Sequence, residues 1–216
     1  MNRLLYVYVA LIGLAVSCQS ISKRGHTPKA QDSTGYDNYR ITLETINDKS
    51  IENRLNLFKV FEKYGKDSEE SKKAISELAR NDSLYLLEFM SLEKKFGWPL
   101  QSEIGEHAVS GAFLVIQHAD LKTQQEYLPV VRAAMKKKEI NPGFYALLKD
   151  RILVSKNKQQ KYGTQMNNRQ MPNGEVETYV LPVKNYRKLD KWRISVGLDS
   201  LTTKLKEKSL IFKNRN

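Results

Sequence analysis

The chain has 216 residues, 40% of them hydrophobic, and a formal net charge of +12. Its single cysteine excludes an internal disulfide framework, while its length and apolar content favour one globular domain with one core. The positive charge favours anionic neighbours such as lipid headgroups or acidic polymers.

The first residues have the pattern of an exported bacterial lipoprotein. A positive start at Arg3 is followed by residues 4–16, which carry no charge. Such a run is shorter than the roughly 20 apolar residues of a membrane-spanning helix and suits a signal peptide. Small residues then precede Cys18, as a lipoprotein signal peptidase requires, although Ala15 stands where Leu is most usual.

We therefore predict that Cys18 is lipidated and that the protein is exported and anchored to a bacterial membrane, in the cell envelope or periplasm. The alternative is an ordinary secretory signal with a chance cysteine, which leaves a lone thiol in an exported chain unexplained. The predicted organisation is a signal peptide over residues 1–17, a flexible polar tether over residues 18–35, and an α-rich globular domain over residues 36–216.

Apolar residues at helical spacing predict helices through most of the domain. The first covers residues 38–64, with an interruption near Asn47-Asp48, and ends at Gly65. A second begins at a cap on Asp67 or Ser68. Asn81-Asp82-Ser83 then predicts a break and a new cap.

Further helices follow the predicted break. One covers residues 84–96 and ends at Gly97-Trp98-Pro99, and a strongly apolar one covers residues 104–118. An amphipathic helix follows over residues 122–138, and another begins at Asn141-Pro142 and runs to residue 154 or 155.

The pattern changes after residue 160. Residues 161–166 and 176–181 read as short strands around the turn signal Asn173-Gly174, and residues 192–196 and 198–206 as two short terminal helices. The predicted fold is mainly α, a single multi-helix domain with a small β-hairpin near its C-terminal end.

The positive charge is concentrated in two segments. Residues 122–161 carry ten Lys and Arg against three Asp and Glu, and residues 184–215 have the same ratio. We predict a basic surface that faces an anionic component of the envelope, although lysine used only for solubility would give the same pattern. Export and the absence of a nucleic-acid motif argue against nucleic acid.

The QHAD segment, Gln117-His118-Ala119-Asp120, is the first candidate site. Its polar side chains follow the most apolar helix, so they need partners or a function. In the functional interpretation His118 and Asp120 are catalytic, with His118 as a general base or a metal ligand and Asp120 orienting it or sharing the ligand set. In the structural interpretation Asp120 caps the next helix, and Gln117 and His118 form hydrogen bonds inside.

A second candidate combines Asp150-Arg151 with the YGTQ segment, residues 162–165. On a strand, Tyr162 and Thr164 would share one face as a polar pocket wall, with Gln165 on the other face. Alternatively, Asp150 and Arg151 form an ordinary ion pair, and the strand only covers the core. Neither a zinc pattern nor a phosphate or dinucleotide loop is present, so no metal or cofactor is predicted.

A spaced series of motifs resembles a bacterial domain family of unknown function, number 6624. The resemblance covers residues 84–205 and implies an α-rich, often exported domain without an established activity. The series consists of Phe96-Gly97-Trp98-Pro99, Ile104-Gly105-Glu106, Gln117-His118-Ala119-Asp120, Asp150-Arg151, Gln160-Lys161-Tyr162-Gly163-Thr164-Gln165 and Val196-Gly197-Leu198.

Three functions follow as hypotheses. The leading one is a ligand-binding or sensing lipoprotein of the cell envelope, with a polar cleft between the QHAD and YGTQ segments. The second is a hydrolase-like enzyme that uses His118 as general base with Asp120 or Asp150. The third is an envelope protein whose basic faces hold an anionic polymer. The predicted ligand-binding residues are Gln117, His118, Asp120, Asp150, Arg151, Tyr162, Thr164 and Gln165.

Overall fold

The computed structural model describes residues 33–172, 176–201 and 211–212. The described residues form two compact units that meet in sequence between Ile140 and Asn141, and we call them the helical unit and the C-terminal unit. Cys18, the predicted signal peptide and most of the tether lie outside the described residues. Residues 33–35, at the end of the predicted tether, already belong to the first helix.

The helical unit consists of four helices. Its core lies where the first helix packs against the third and the second. The side chains of Tyr39, Leu43, Phe89, Phe113 and Ile116 are almost completely buried there. The helices are α1 (Ser33–Tyr64), α2 (Glu69–Phe96), α3 (Gln101–His118) and α4 (Leu121–Lys136).

A close approach between α1 and α3 depends on Gly111. A Cβ atom at this position would lie 2.0 Å from the carbonyl oxygen of Leu43 in α1, far inside van der Waals contact. Only glycine therefore allows the two backbones to pack at this distance.

Glycine and cap residues end the helices where the sequence predicts, and two predicted breaks are wrong. Helix α1 ends before Gly65, α2 begins after its cap Ser68 and ends before Gly97, as expected. However, α1 continues through Asn47, and α2 continues through residues 81–83.

Hydrogen bonds to other residues explain why Asp82 and Ser83 do not break α2. Both carboxylate oxygens of Asp82 accept from Arg54 Nη2 at 2.9 Å, so this side chain pairs with α1 instead of capping a new helix. The Ser83 hydroxyl donates to the Ala79 carbonyl one turn earlier. The predicted caps therefore have other hydrogen bonds, and the helices run on.

The C-terminal unit combines two helices with a small sheet. Strands β1 and β2 form an antiparallel hairpin, with Met166 opposite Val180, and the third strand pairs parallel to β2. Val180, Val183, Leu189 and Leu201 form a buried cluster beside it. The elements are α5 (Pro142–Ser155), β1 (Met166–Gln170), β2 (Val176–Val180), α6 (Tyr186–Ile194) and β3 (Ile211–Phe212).

The mainly α fold with a hairpin near the C-terminal end is confirmed, whereas several boundaries differ. The first strand occupies Met166–Gln170, so the predicted strand over residues 161–166 is wrong. The helix predicted over residues 192–196 is α6, which begins and ends earlier. Of the helix predicted over residues 198–206, residues 198–200 have no regular structure, Leu201 is helical, and residues 202–206 lie outside the described chain.

None of the helices in the described part of the chain is both long and apolar enough to cross a membrane.

Candidate functional site

The carboxylate of Asp150, in α5, holds the backbone of the segment that follows the helix. Asp150 is completely buried. Its two oxygens accept from the amides of Lys161 at 2.7 Å, Tyr162 at 2.9 and 3.1 Å, and Thr164 at 3.1 Å. The Thr164 hydroxyl donates as well, at 3.1 Å. We call residues 160–165 the anchored loop, because one buried carboxylate fixes three of its amides.

Gln160, the first residue of the anchored loop, binds Gln165, the last residue of the loop, through its side chain. Its side-chain amide donates to the carbonyls of Gln165 at 2.9 Å and Leu181 at 2.7 Å, and its Oε1 accepts from the Gln165 amide at 2.8 Å. The Gln160 backbone also forms a parallel bridge with Val183. The loop is thereby tied to the chain that leaves β2.

Arg193, in α6, binds the carbonyl side of the same loop. Its Nη1 donates to the carbonyl of Tyr162 at 2.7 Å, and its Nε donates to the Asp199 carbonyl at 2.6 Å. Gly163 lies between Tyr162 and Thr164 in the loop, and it has a φ of +64°, a conformation that glycine adopts without strain. An anion on one side and a cation on the other therefore fix the backbone of the loop.

Burial favours the neutral forms of Asp150 and Arg193, so it raises the pKa of the acid and lowers the pKa of the base. Desolvation raises the pKa of Asp150 from 3.8 to about 6, although the amides of Lys161, Thr164 and Tyr162 and the Thr164 hydroxyl act in the opposite direction. Desolvation also lowers the pKa of Arg193, and the charges of Asp190, Asp150 and Asp199 oppose that shift.

The raised pKa of Asp150 gives the stability of the C-terminal unit a pH dependence. The folded protein binds the Asp150 proton more tightly than the unfolded chain does. Tighter proton binding adds about 3 kcal/mol to the free energy of unfolding. This stabilisation is complete below about pH 4 and is lost as the pH rises through about 6. Urea unfolding of wild type and Asp150→Asn across this range measures the effect. Identical pH slopes for the two proteins would contradict it.

A groove of about 530 Å³ opens beside the anchored loop, within the C-terminal unit. Four lysines line it, and we call Lys149, Lys161, Lys184 and Lys188 the groove lysines. The other described lining residues are Leu153, Gln159, Asn185 and Trp192, so no acidic side chain is among the residues of the lining that the structure describes. This volume is in the range of pockets that bind small molecules.

Aromatic side chains position two of the groove lysines. The Lys161 ammonium lies 4.9 Å from the ring centroid of Tyr162 and 5.2 Å from that of Trp192. The Lys149 ammonium donates to the hydroxyl of Tyr145 at 3.2 Å. Cation–π contacts hold an ammonium without neutralising its charge.

Two surface lysines of the helical unit, by contrast, form ion pairs. Lys49 pairs with Glu52 at 2.9 Å, and Lys72 pairs with Glu69 at 2.6 Å. Within the described chain, no groove lysine forms an ion pair with a carboxylate. Four positive charges thus face one groove with their charge available for an anion.

The predicted residues around the YGTQ segment are not among the residues that line this groove. Tyr162 and Gln165 are buried, as is Arg151 in α5, and Thr164 is partly buried. Residues 161–165 form an anchored loop and not a strand, so the strand geometry on which the predicted pocket wall was based is wrong. The Thr164 hydroxyl binds Asp150, and a role of Tyr162 and Thr164 in ligand binding stays a prediction.

The QHAD segment lies in the helical unit. Gln117 is buried, His118 ends α3 as a partly buried residue, and Asp120 is exposed. The Asp120 carboxylate accepts from the Thr123 amide at 2.7 Å, which confirms the interpretation of Asp120 as a helix cap. Hydrogen bonds from Thr123 hold the pKa of Asp120 below its ordinary value. Gln124 donates to the carbonyl of Gln117 at 3.0 Å and bridges α3 and α4.

The two predicted motifs thus belong to different units, and their convergence on one surface stays a prediction. Their residues differ in accessibility, since Asp150 is fully buried and Asp120 is exposed. Among residues 33–172, 176–201 and 211–212, no group of three or more His, Cys, Asp or Glu side chains could hold a metal ion.

Sequence reasoning missed the groove lysines, Trp192 and Arg193 as site residues. The excess of lysine over residues 122–161 and 184–215 was the available signal, because all four groove lysines fall within these two segments. The pattern does not indicate which of these lysines meet.

Comparison with known proteins identifies a family and no characterised relative. A model of a family of unknown function, DUF6624, matches residues 66–211, a longer stretch than the residues 84–205 of the sequence resemblance. No curated protein and no solved structure matches the chain.

Proposed function

We propose that this chain, which belongs to the family of unknown function DUF6624, is a ligand-binding lipoprotein of the bacterial cell envelope that captures an anionic ligand in its lysine groove. The observation that carries the proposal is a groove in which four of the eight described lining residues are lysines and none is acidic. Concentrated charge of one sign attracts and retains ligands of the opposite sign.

The anchored loop gives this groove a defined geometry. Lys161 follows Gln160 in the loop, and its amide is bound to Asp150 at 2.7 Å. Its ammonium lies against Trp192 of α6, so the backbone and the side chain of Lys161 are both held. A lysine that is already positioned loses less conformational entropy on binding, which favours affinity.

In this proposal the YGTQ segment contributes by supporting the groove. Asp150, Tyr162, Thr164 and Gln165 fix the loop that carries Lys161, and the lysines make the ligand contacts. The polar cleft predicted between the QHAD and YGTQ segments is thereby replaced by a groove beside the YGTQ segment alone.

Retention on cellulose phosphate tests the groove against general basicity. In one variant the groove lysines are changed to Gln. In a matched control the same change is made at four exposed lysines of the helical unit, Lys59, Lys66, Lys73 and Lys136. Both variants lose four charges. We expect the groove variant to elute at clearly lower salt than the control, because only the groove concentrates its charges.

Equal elution of the two variants would contradict the proposal, since the column would then respond to net charge alone. Thermal melting of both variants checks that each remains folded. A groove variant that melts with the control and still elutes with it leaves no specific role for the groove.

Membrane attachment at Cys18 is the second part of the proposal. Cys18→Ala is expected to leave an uncleaved precursor and to abolish detergent-phase partitioning of mature protein, because no other thiol is present for lipidation. Metabolic labelling with a fatty acid and detergent-phase separation of whole cells measure both effects. Unchanged mature size and unchanged partitioning would show that Cys18 is not the anchor.

A further inference from the structure

We infer that the lysine groove takes an organic diphosphate, with its two linked phosphoryl groups on the groove lysines and its organic part against Trp192 and Leu153. This inference rests on the proposed function, because it specifies which anion the groove takes. Three features of the groove lead to it: its charge, the chemistry of its cations and its size.

The four ammonium groups carry more positive charge than a single phosphate group neutralises. One phosphate monoester carries about −1.5 to −2 charges at neutral pH. Four lysines line the groove, and no carboxylate among the described lining residues offsets them. Two linked phosphoryl groups come close to neutralising this charge, whereas one leaves ammonium groups facing one another.

The ammonium groups of lysine suit a phosphoryl group. The planar fork of arginine donates two parallel hydrogen bonds to carboxylates and phosphates alike. The ammonium of lysine is a compact charge with rotatable donors, and it can approach a tetrahedral phosphoryl group from many directions. Among the described lining residues, all the cations are lysines.

The size and lining of the groove leave room for an organic group. Its volume of about 530 Å³ is far larger than a bare phosphate ion requires. Trp192 and Leu153 are partly exposed within it and offer apolar surface. The Lys161 ammonium lies 5.2 Å from the Trp192 ring, so a ligand bound to this lysine is next to the indole.

Tryptophan fluorescence can report on the groove, because the chain has two tryptophans and only Trp192 lines it. The full chain with Trp98→Phe, in detergent, leaves Trp192 as the single emitter. Trp98 belongs to the helical unit, where its ring packs against Phe89 and Tyr127. Titration with pyrophosphate, orthophosphate, uridine diphosphate and citrate compares the ligand classes.

We expect pyrophosphate to bind about tenfold more tightly than orthophosphate, as one further charge-assisted hydrogen bond would give. Uridine diphosphate should bind more tightly than pyrophosphate, and citrate should bind at least about tenfold more weakly than pyrophosphate. Lys161→Gln in the same background should weaken the binding of both diphosphates.

The outcomes separate this inference from the proposed function. Citrate binding as tightly as pyrophosphate overturns the diphosphate inference and leaves an anion groove in place. Equal affinity for pyrophosphate and uridine diphosphate overturns the contact with an organic part. If none of the four probes changes Trp192 emission, and the groove and control variants also elute together from cellulose phosphate, both the inference and the proposed function fail.

Discussion

Asp150→Ala is expected to lower the free energy of unfolding of the C-terminal unit by about 3–5 kcal/mol. The change removes the acceptor for the amides of Lys161, Tyr162 and Thr164 and for the Thr164 hydroxyl. Each buried donor without an acceptor costs about 1–3 kcal/mol, and water that enters the site recovers part of this loss. Urea denaturation followed by Trp192 emission in a Trp98→Phe background measures the loss.

Asp120→Ala is the matched control for this prediction. Asp120 also accepts from a backbone amide, that of Thr123, but it is exposed and caps one helix. Loss of such a cap costs about 1 kcal/mol. If the two variants are destabilised equally, Asp150 is not the anchor of the loop.

Gly111→Ala is the second change with a large expected effect. The new Cβ would lie 2.0 Å from the Leu43 carbonyl oxygen, so α1 and α3 must move apart along a buried contact. We expect a net loss of about 2 kcal/mol, because a clash with a backbone atom lies at the upper end of the roughly 1–3 kcal/mol that overpacking costs, and alanine regains about 1 kcal/mol in helix propensity. Thermal and urea unfolding of the helical unit measure it.

Ser110→Ala, one position earlier, controls for the helix itself. The Ser110 hydroxyl donates only to the Glu106 carbonyl within α3, so its loss should change stability by less than about 0.5 kcal/mol. A Gly111→Ala protein that is as stable as the Ser110→Ala protein would show that α1 and α3 are not in close contact at this point.

Local signals explain why the helix ends could be predicted from the sequence. Gly65, Gly97 and Pro142 act through their own backbone conformations, which need no knowledge of distant residues. The predicted breaks near Asn47 and at residues 81–83 failed because an acidic residue in each has a tertiary partner. Asp48 Oδ1 lies 2.8 Å from His107 Nε2. Asp82 is satisfied by Arg54, which is 28 positions away.

The same distinction applies to the site. The sequence singled out Asp150 in a helix, and it assigned residues 162–165 to a strand in which Tyr162 and Thr164 form a pocket wall. Their arrangement depends on Arg193, which binds the loop from 31 positions away. The basic segments predicted an anionic partner, but the meeting of Lys149, Lys161, Lys184 and Lys188 requires the path of the anchored loop and of α6.

Acetylation rates of individual lysines, measured by mass spectrometry with and without saturating pyrophosphate, show whether an anion binds in the groove of the C-terminal unit. We expect acetylation of the groove lysines to slow by several-fold, while Lys59, Lys66, Lys73 and Lys136 react at unchanged rates. Equal protection of both sets, or protection of neither, would contradict binding in the groove.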